Sequence, residues 1–136
     1  MTITYRREQD LSAAEYIACV GQTTLGASRP LGNAARVQAM IEGSDLIVTA
    51  RDAEGTLLGL SRTLTDWDWV AYCADLAVVE GRQGAGIGKA LLEETAAILG
   101  PRVGLALLPL PGAEGFYRRI GMTEYPAFWR SREDRA

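Results

Sequence analysis

Apolar and polar residues alternate at the start of the chain, where Ile3 and Tyr5 flank Thr4 and precede Arg6, and this predicts a short first strand. Ser12 followed three residues later by Glu15 is a capping-box pattern. Ala14, Ile17 and Ala18 then recur at helical spacing, so a helix is expected over about residues 12–24. A loop from Gly26 to Gly32 contains Arg29-Pro30. Asn33 is placed to cap a second helix, with Val37, Met40 and Ile41 on one face and Gly43-Ser44 at its end. Leu46–Ala50 is rich in β-formers, Asp52–Gly55 is a turn, and Leu57–Leu64 is the returning strand. A second turn at Asp66–Asp68 leads into a long strand candidate, Trp69–Val79. After a glycine-rich turn, a helix is expected over Gly86–Leu99. Val103–Leu108 is wholly apolar, as a buried strand would be. Ala113–Ile120 reads as a helix stopped by Gly121, and Thr123–Arg130 as a last extended segment. The resulting order, β-α-α-β-β-β-α-β-α-β, implies a mixed α/β sheet in one domain over residues 1–136, without linker or repeat.

Composition narrows the chemistry. A chain of 136 residues, 48% hydrophobic, can bury about two-thirds of its surface and build a core without metal or disulfides. It contains no histidine, which removes Ser-His-Asp and Cys-His catalysis and every His-containing zinc site. With only Cys19 and Cys73, a four-cysteine zinc site is also excluded, and no metal is expected. Acid–base work must fall to carboxylates, Tyr, Lys, Cys, backbone groups or water. The net charge of -3 and a pI near 5.0 argue against nucleic acid as a partner. No apolar run approaches the roughly 20 residues of a membrane helix, and Met1–Arg7 offers no apolar signal region. A cytoplasmic protein with two reduced cysteines is expected.

The informative stretch is Gly81-Arg-Gln-Gly-Ala-Gly-Ile-Gly-Lys89, between a strand and an amphipathic helix. Glycines at 84, 86 and 88 allow close backbone approach to a ligand, and the helix adds about half a positive charge at its N-terminus. Together they describe a phosphate or pyrophosphate cradle. A Walker A loop is ruled out by counting: Gln83 stands five residues before Gly88, and Ala90 follows Lys89 where a hydroxyl is required. A dinucleotide fingerprint is ruled out too, since the glycines fall at i, i+2 and i+4 and some 80 residues precede them. The remaining alternative is a tight turn that needs three glycines for its own shape.

Gln83-Gly-Ala-Gly-Ile-Gly88 resembles the Gln/Arg-x-x-Gly-x-Gly/Ala signature of the GNAT superfamily of acyl-CoA-dependent N-acyltransferases. Leu76-Ala-Val78 resembles that family's central-strand signature, Leu91-Leu92 continues its helix, and Phe116–Met122 is similar to its Phe-Tyr-x-x-x-Gly-Phe segment. The resemblance is specific from about Asp75 to Tyr125. It implies a mixed, mostly antiparallel sheet flanked by helices. It also implies transfer of an acetyl group from acetyl-CoA to a primary amine by direct attack (EC 2.3.1 class). By the same resemblance, Leu76, Ala77 and Val78 would contact pantetheine through backbone groups and polarise the thioester carbonyl. Gln83, Gly84, Ala85, Gly86, Ile87, Gly88 and Lys89 would line the pyrophosphate, and Tyr117 stands where the family places its general acid.

Two points depart from this pattern or stay open. Many family members carry an Asn about seven residues before the Tyr; here that place is Leu110, inside Pro109–Gly112. Asp75, in the apolar run Ala71–Val79, is either the general base or a structural carboxylate paired with a neighbour such as Arg62. Cys73 reads as a buried thiol. For the acceptor, the resemblance points to the first two helices, their loop and the last strands, which offer Thr24, Leu25 and Arg29 together with the aromatics Trp67, Trp69, Tyr72, Tyr125, Phe128 and Trp129. Core packing or a homodimer contact is the alternative for the aromatics. A non-catalytic acyl-CoA-binding sensor or accessory module is the competing function.

Overall fold

The computed structural model describes residues 2–136; Met1, first residue of the expected domain, lies outside them. In chain order the elements are β1 (Thr4–Arg7), α1 (Ala13–Val20), α2 (Ala34–Glu42), β2 (Leu46–Arg51), β3 (Leu57–Thr65), β4 (Val70–Val78), α3 (Ile87–Leu99), β5 (Gly104–Leu107) and α4 (Glu114–Arg119). The strands form one sheet in the order β1-β2-β3-β4-β5, antiparallel from β1 to β4, with β5 parallel to β4. This is the mixed, mostly antiparallel sheet flanked by helices that the sequence predicts.

Neighbouring residues of β3 show how the helices are layered. Ser61 hydrogen-bonds Thr95 of α3 at 2.7 Å, while the next residue, Arg62, reaches Asp75, which also holds Tyr16 of α1. Successive side chains on a strand point to opposite faces, so α3 covers one face and α1 and α2 the other. Gly59 permits the close approach on the α3 side, because a Cβ there would lie 2.6 Å from the Ala77 carbonyl and 3.2 Å from Leu91.

Three expectations change. The first helix ends at Val20, not near residue 24. Thr23 competes for local backbone: its hydroxyl donates to the Val20 carbonyl at 2.8 Å and accepts from the Leu25 N–H, starting a short 3-10 turn, Thr24–Ser28. The helix also buries Tyr16, Cys19 and Val20, while Ala14 and Ala18 face outward. The apolar run in β5 is not a buried strand: β5 closes one edge of the sheet, with Gly104 and Ala106 exposed. Finally, residues 123–130 form no strand and are exposed, so the observed order stops at α4. Among the described residues, no helix is long and apolar enough to cross a membrane.

An ion cluster ties β2 and α1 to the residue that follows β1. Glu8, 7% exposed, accepts from Arg51 Nε and Nη2 at 3.0 and 2.7 Å and from Thr49 at 2.9 Å. Glu15 turns its carboxylate to Arg51 as well, so only the Ser12 half of the capping box forms. Arg51 holds the Glu8 carboxyl down to about 2 from 4.5. A lowered carboxyl contributes stability above its unfolded value and loses it as pH falls through its folded value. Glu8→Gln is therefore expected to cost about 2–3 kcal/mol at pH 7, and the difference from wild type should close between pH 4.5 and 2. Urea unfolding at pH 7 and pH 3 checks this; an equal difference at both would discard the ion-pair origin.

Candidate active site

The site begins where β4 loses a neighbour. The β4–β5 pairing runs from Val70↔Gly104 to Cys73↔Leu107 and stops there, while β4 continues to Val78. On its other side, the β3 register shifts between Arg62↔Asp75 and Thr63↔Cys73, which leaves Ala74 as a bulged residue. Beyond the bulge, backbone direction follows from alternation. The Val79 N–H bonds the Leu58 carbonyl at 2.9 Å, so the Ala77 and Asp75 backbones also face β3. The N–H groups of Leu76 and Val78 then face the open edge, where no strand partner stands among the described residues. Gln83 Nε2 caps the Val78 carbonyl at 3.0 Å.

The glycine loop continues from this open edge. Gly81, Gly84 and Gly86 have φ of 84°, 86° and 84°, the left-handed region that other residues enter at a cost of about 1–2 kcal/mol. Gly86 caps α3 with no side-chain hydrogen bond, so the first helical N–H groups are offered outward. Gly88 does something different: a Cβ there would meet the Phe116 ring at 3.2 Å, so its small size lets α4 dock on α3. Ile87 turns its side chain into the core at 1% exposure and presents only its backbone to the loop. Ala85 and Lys89 are exposed, and Lys89 makes a loose 3.7 Å pair with Glu93.

Beside the parted strands lies a cavity of about 630 Å³. Leu76, Cys73 and Tyr72 of β4 line it, with Tyr117 of α4 and Leu110 opposite. Tyr117 packs edge-on against Phe116, with centroids 5.0 Å apart. Burial pushes its phenol up to about 12, and its hydroxyl makes no hydrogen bond among the described residues. Cys73 is buried and its thiol is pushed up to about 11, chiefly by the same burial, so it stays protonated at neutral pH.

Asp75 does not itself line the cavity but holds Arg29 and Arg62, which do. It is 1% exposed and accepts from Arg62 Nε at 2.6 Å, Arg29 Nε at 2.7 Å and the Tyr16 hydroxyl at 2.5 Å. Burial alone would raise its carboxyl, but these partners, Arg62 foremost, leave it below its ordinary value. This geometry is that of a structural carboxylate paired with Arg62, and neither Tyr16 nor Arg29 was expected as a partner. Tyr16 could have been found from its place on the buried stripe with Cys19 and Val20.

Of the residues read as acceptor candidates, Thr24, Leu25, Arg29, Tyr72 and Trp129 line the cavity. Trp67, Trp69, Tyr125 and Phe128 do not: Trp67 stacks under Arg7 at 5.1 Å, and Phe128 is fully exposed. No cluster of His, Cys, Asp or Glu able to hold a metal occurs among the described residues.

A family model for the acetyltransferase (GNAT) domain matches residues 42–124. No curated protein sequence matches the chain. Among solved structures it is similar to a proposed acetyltransferase of Deinococcus radiodurans R1, at 21% identity and TM-score 0.77 over 96% of this chain and 88% of that one. It is similar to a GNAT-family protein of Streptococcus pneumoniae TIGR4, at 24% identity and TM-score 0.72 over 97% and 100% of the two chains. It is also similar to the GNAT-family N-acetyltransferase YhbS of Escherichia coli, solved with CoA, at 23% identity and TM-score 0.69 over 88% and 67%.

Proposed function

This chain belongs to the acetyltransferase (GNAT) domain family, and from that premise we propose that it transfers an acetyl group from acetyl-CoA to a primary amine by direct attack. The observation that carries the proposal is the parting of β4 and β5 after Cys73. It leaves the edge of Leu76–Val78 that faces away from β3 without a strand partner among the described residues, immediately before a positive-φ glycine loop at a helix start. The pantetheine arm would pair with that edge as a missing strand does. Gly84, Ala85 and Gly86, with the N–H groups of Ile87, Gly88 and Lys89, would hold the pyrophosphate, and Gln83 would fix the loop through Val78.

The chemistry needs one developing charge stabilised and two protons placed. The free N–H at Leu76 or Val78 would face the thioester oxygen as negative charge grows on it. The new N–C bond forms as the C–S bond breaks. Tyr117 would give its proton to the departing sulfur, and the amine's surplus proton would leave to water through the cavity. Asp75 would not take that proton, since three donors already occupy its oxygens; its role would be to anchor Arg62, Arg29 and Tyr16 beneath the cavity.

CoA is expected to raise the melting midpoint while ATP and NAD do not, because a ligand at 100 times its Kd adds about 2.7 kcal/mol to the folded state. Thiol release from acetyl-CoA should follow for at least one member of an amine panel. Stabilisation by CoA without release for any amine would favour the non-catalytic binding module, and no stabilisation would discard the CoA site itself.

A further inference from the structure

The floor of the cavity holds more positive charge than it can neutralise. Arg29 and Arg62 both aim Nε at Asp75, with their side chains only 20% and 10% exposed. One carboxylate thus faces one buried and one half-buried guanidinium, and the third group on it, the Tyr16 phenol, is neutral and held protonated by burial and by Asp75. Three more arginines, Arg36, Arg132 and Arg135, line the same cavity, and no acidic side chain does so among the described residues. This concentration occurs in a chain with 14 basic and 17 acidic residues. Other arginines are matched: Arg51 spans Glu8 and Glu15, and Arg118 takes Glu124 at 2.7 Å. Arg36 gives its guanidinium to oxygens of Asp134 and of Ala136, the last residue of the chain, so the surplus charge rests on Arg29, Arg62, Arg132 and Arg135. A buried charge without a counter-charge is costly, so the arrangement is suited to a ligand that brings one.

We propose that the acceptor is an amine that also carries an anionic group, a carboxylate or a phosphate, and that this group docks against the arginines of the cavity. The inference rests on the acetyl-transfer reading and names its substrate class. Arg29 and Arg62 form a fixed floor, since Arg29 is further held by the Ala74 carbonyl at 2.8 Å and Ser28 at 2.7 Å, and Arg62 by Ser44 at 3.3 Å. Arg132, stacked 5.6 Å from Trp129, stands at the rim. The cavity's 630 Å³ falls within the range of small-molecule sites. The same charge answers a second need. Nearby cations disfavour the protonated form of an amine, so a substrate tethered by its anion would lose its ammonium proton more readily, in a chain without histidine.

The test uses matched amines in the acetyl-CoA thiol-release assay: amino acids against their methyl esters, and phosphoethanolamine against ethanolamine. The two pairs distinguish carboxylate from phosphate. The anionic member of at least one pair should show a kcat/KM at least ~10-fold above its neutral partner, a difference of about 1.4 kcal/mol. Arg132→Gln, an exposed change that spares the fold, should erase most of that preference. Equal rates within both pairs would overturn the inference and leave acetyl transfer standing. If no amine is turned over while CoA still binds, acetyl transfer fails instead, and the anion site is read directly. Acetate or inorganic phosphate should then raise the melting midpoint of the CoA-saturated protein above that in chloride of equal ionic strength. The shift should be lost in Arg29→Gln and reduced in Arg132→Gln. Absence of a shift, or one surviving both substitutions, would overturn the inference.

Discussion

Asp75→Ala is expected to cost on the order of 3–5 kcal/mol, because it strands a buried guanidinium, a half-buried one and a buried phenol at once. A domain holds only about 5–15 kcal/mol in total, so the variant should unfold at markedly lower urea or be recovered poorly. The loss follows from desolvation: Asp75 is 1% exposed, and its removal takes the buried counter-charge from Arg62 and Arg29. The pH dependence carries the same sign. The Asp75 carboxyl is below its ordinary value, so its contribution is present above that value and disappears as pH falls through the lower folded one. A paired change tests the cause, since replacing charge and partner together by apolar groups removes the more deeply buried of the two unpaired ions and leaves only Arg29. Asp75→Leu with Arg62→Met should therefore be more stable than Asp75→Ala alone. If Asp75→Ala melts with the wild type but has lost only turnover, the anchor assignment is wrong and the general-base reading returns.

Asp75 also shows how far the sequence could be read. One carboxylate in the apolar run Ala71–Val79 demanded a partner, and Arg62 on the neighbouring strand was the reachable one. The other two partners come from distant chain: Arg29 is 46 residues away and Tyr16 is 59. No local pattern encodes such contacts; they follow from how α1 and the loop after it settle on the sheet. The glycine loop was more legible because its signal is local. Positive φ at Gly84 and Gly86 is a property of single residues before a helix. Even there, periodicity could not tell the two uses of glycine apart, and Gly88 serves Phe116 rather than a turn. The ends of the sheet were least legible. The apolar composition of β5 predicts burial, but burial depends on neighbours on both sides, and β5 has one. Residues 123–130 carry strand-forming aromatics yet join no strand among the described residues, so composition alone overstated them.

Tyr117→Phe is expected to lower kcat by about 10²–10³-fold while leaving CoA affinity and the melting midpoint nearly unchanged. The stability half follows from the site, since the hydroxyl has no hydrogen bond to lose and the ring keeps its edge-on contact with Phe116. The kinetic half rests on matched acidities. In water, a phenol near 12 would be a weak acid for a thiolate near 8.5. A leaving sulfur that is shielded from water becomes more basic, which narrows the gap between donor and acceptor. The raised phenol also keeps Tyr117 protonated through the whole neutral range, so wild-type kcat should show no alkaline loss from this group below about pH 11. A leaving group that needs no proton provides the control. With an acetyl thioester of an acidic thiophenol, Tyr117→Phe should recover most of the lost rate, because that thiolate departs unaided. Full turnover of Tyr117→Phe with acetyl-CoA would remove Tyr117 as the acid. A defect equally deep with the thiophenol ester would show that the hydroxyl acts on something other than the leaving sulfur.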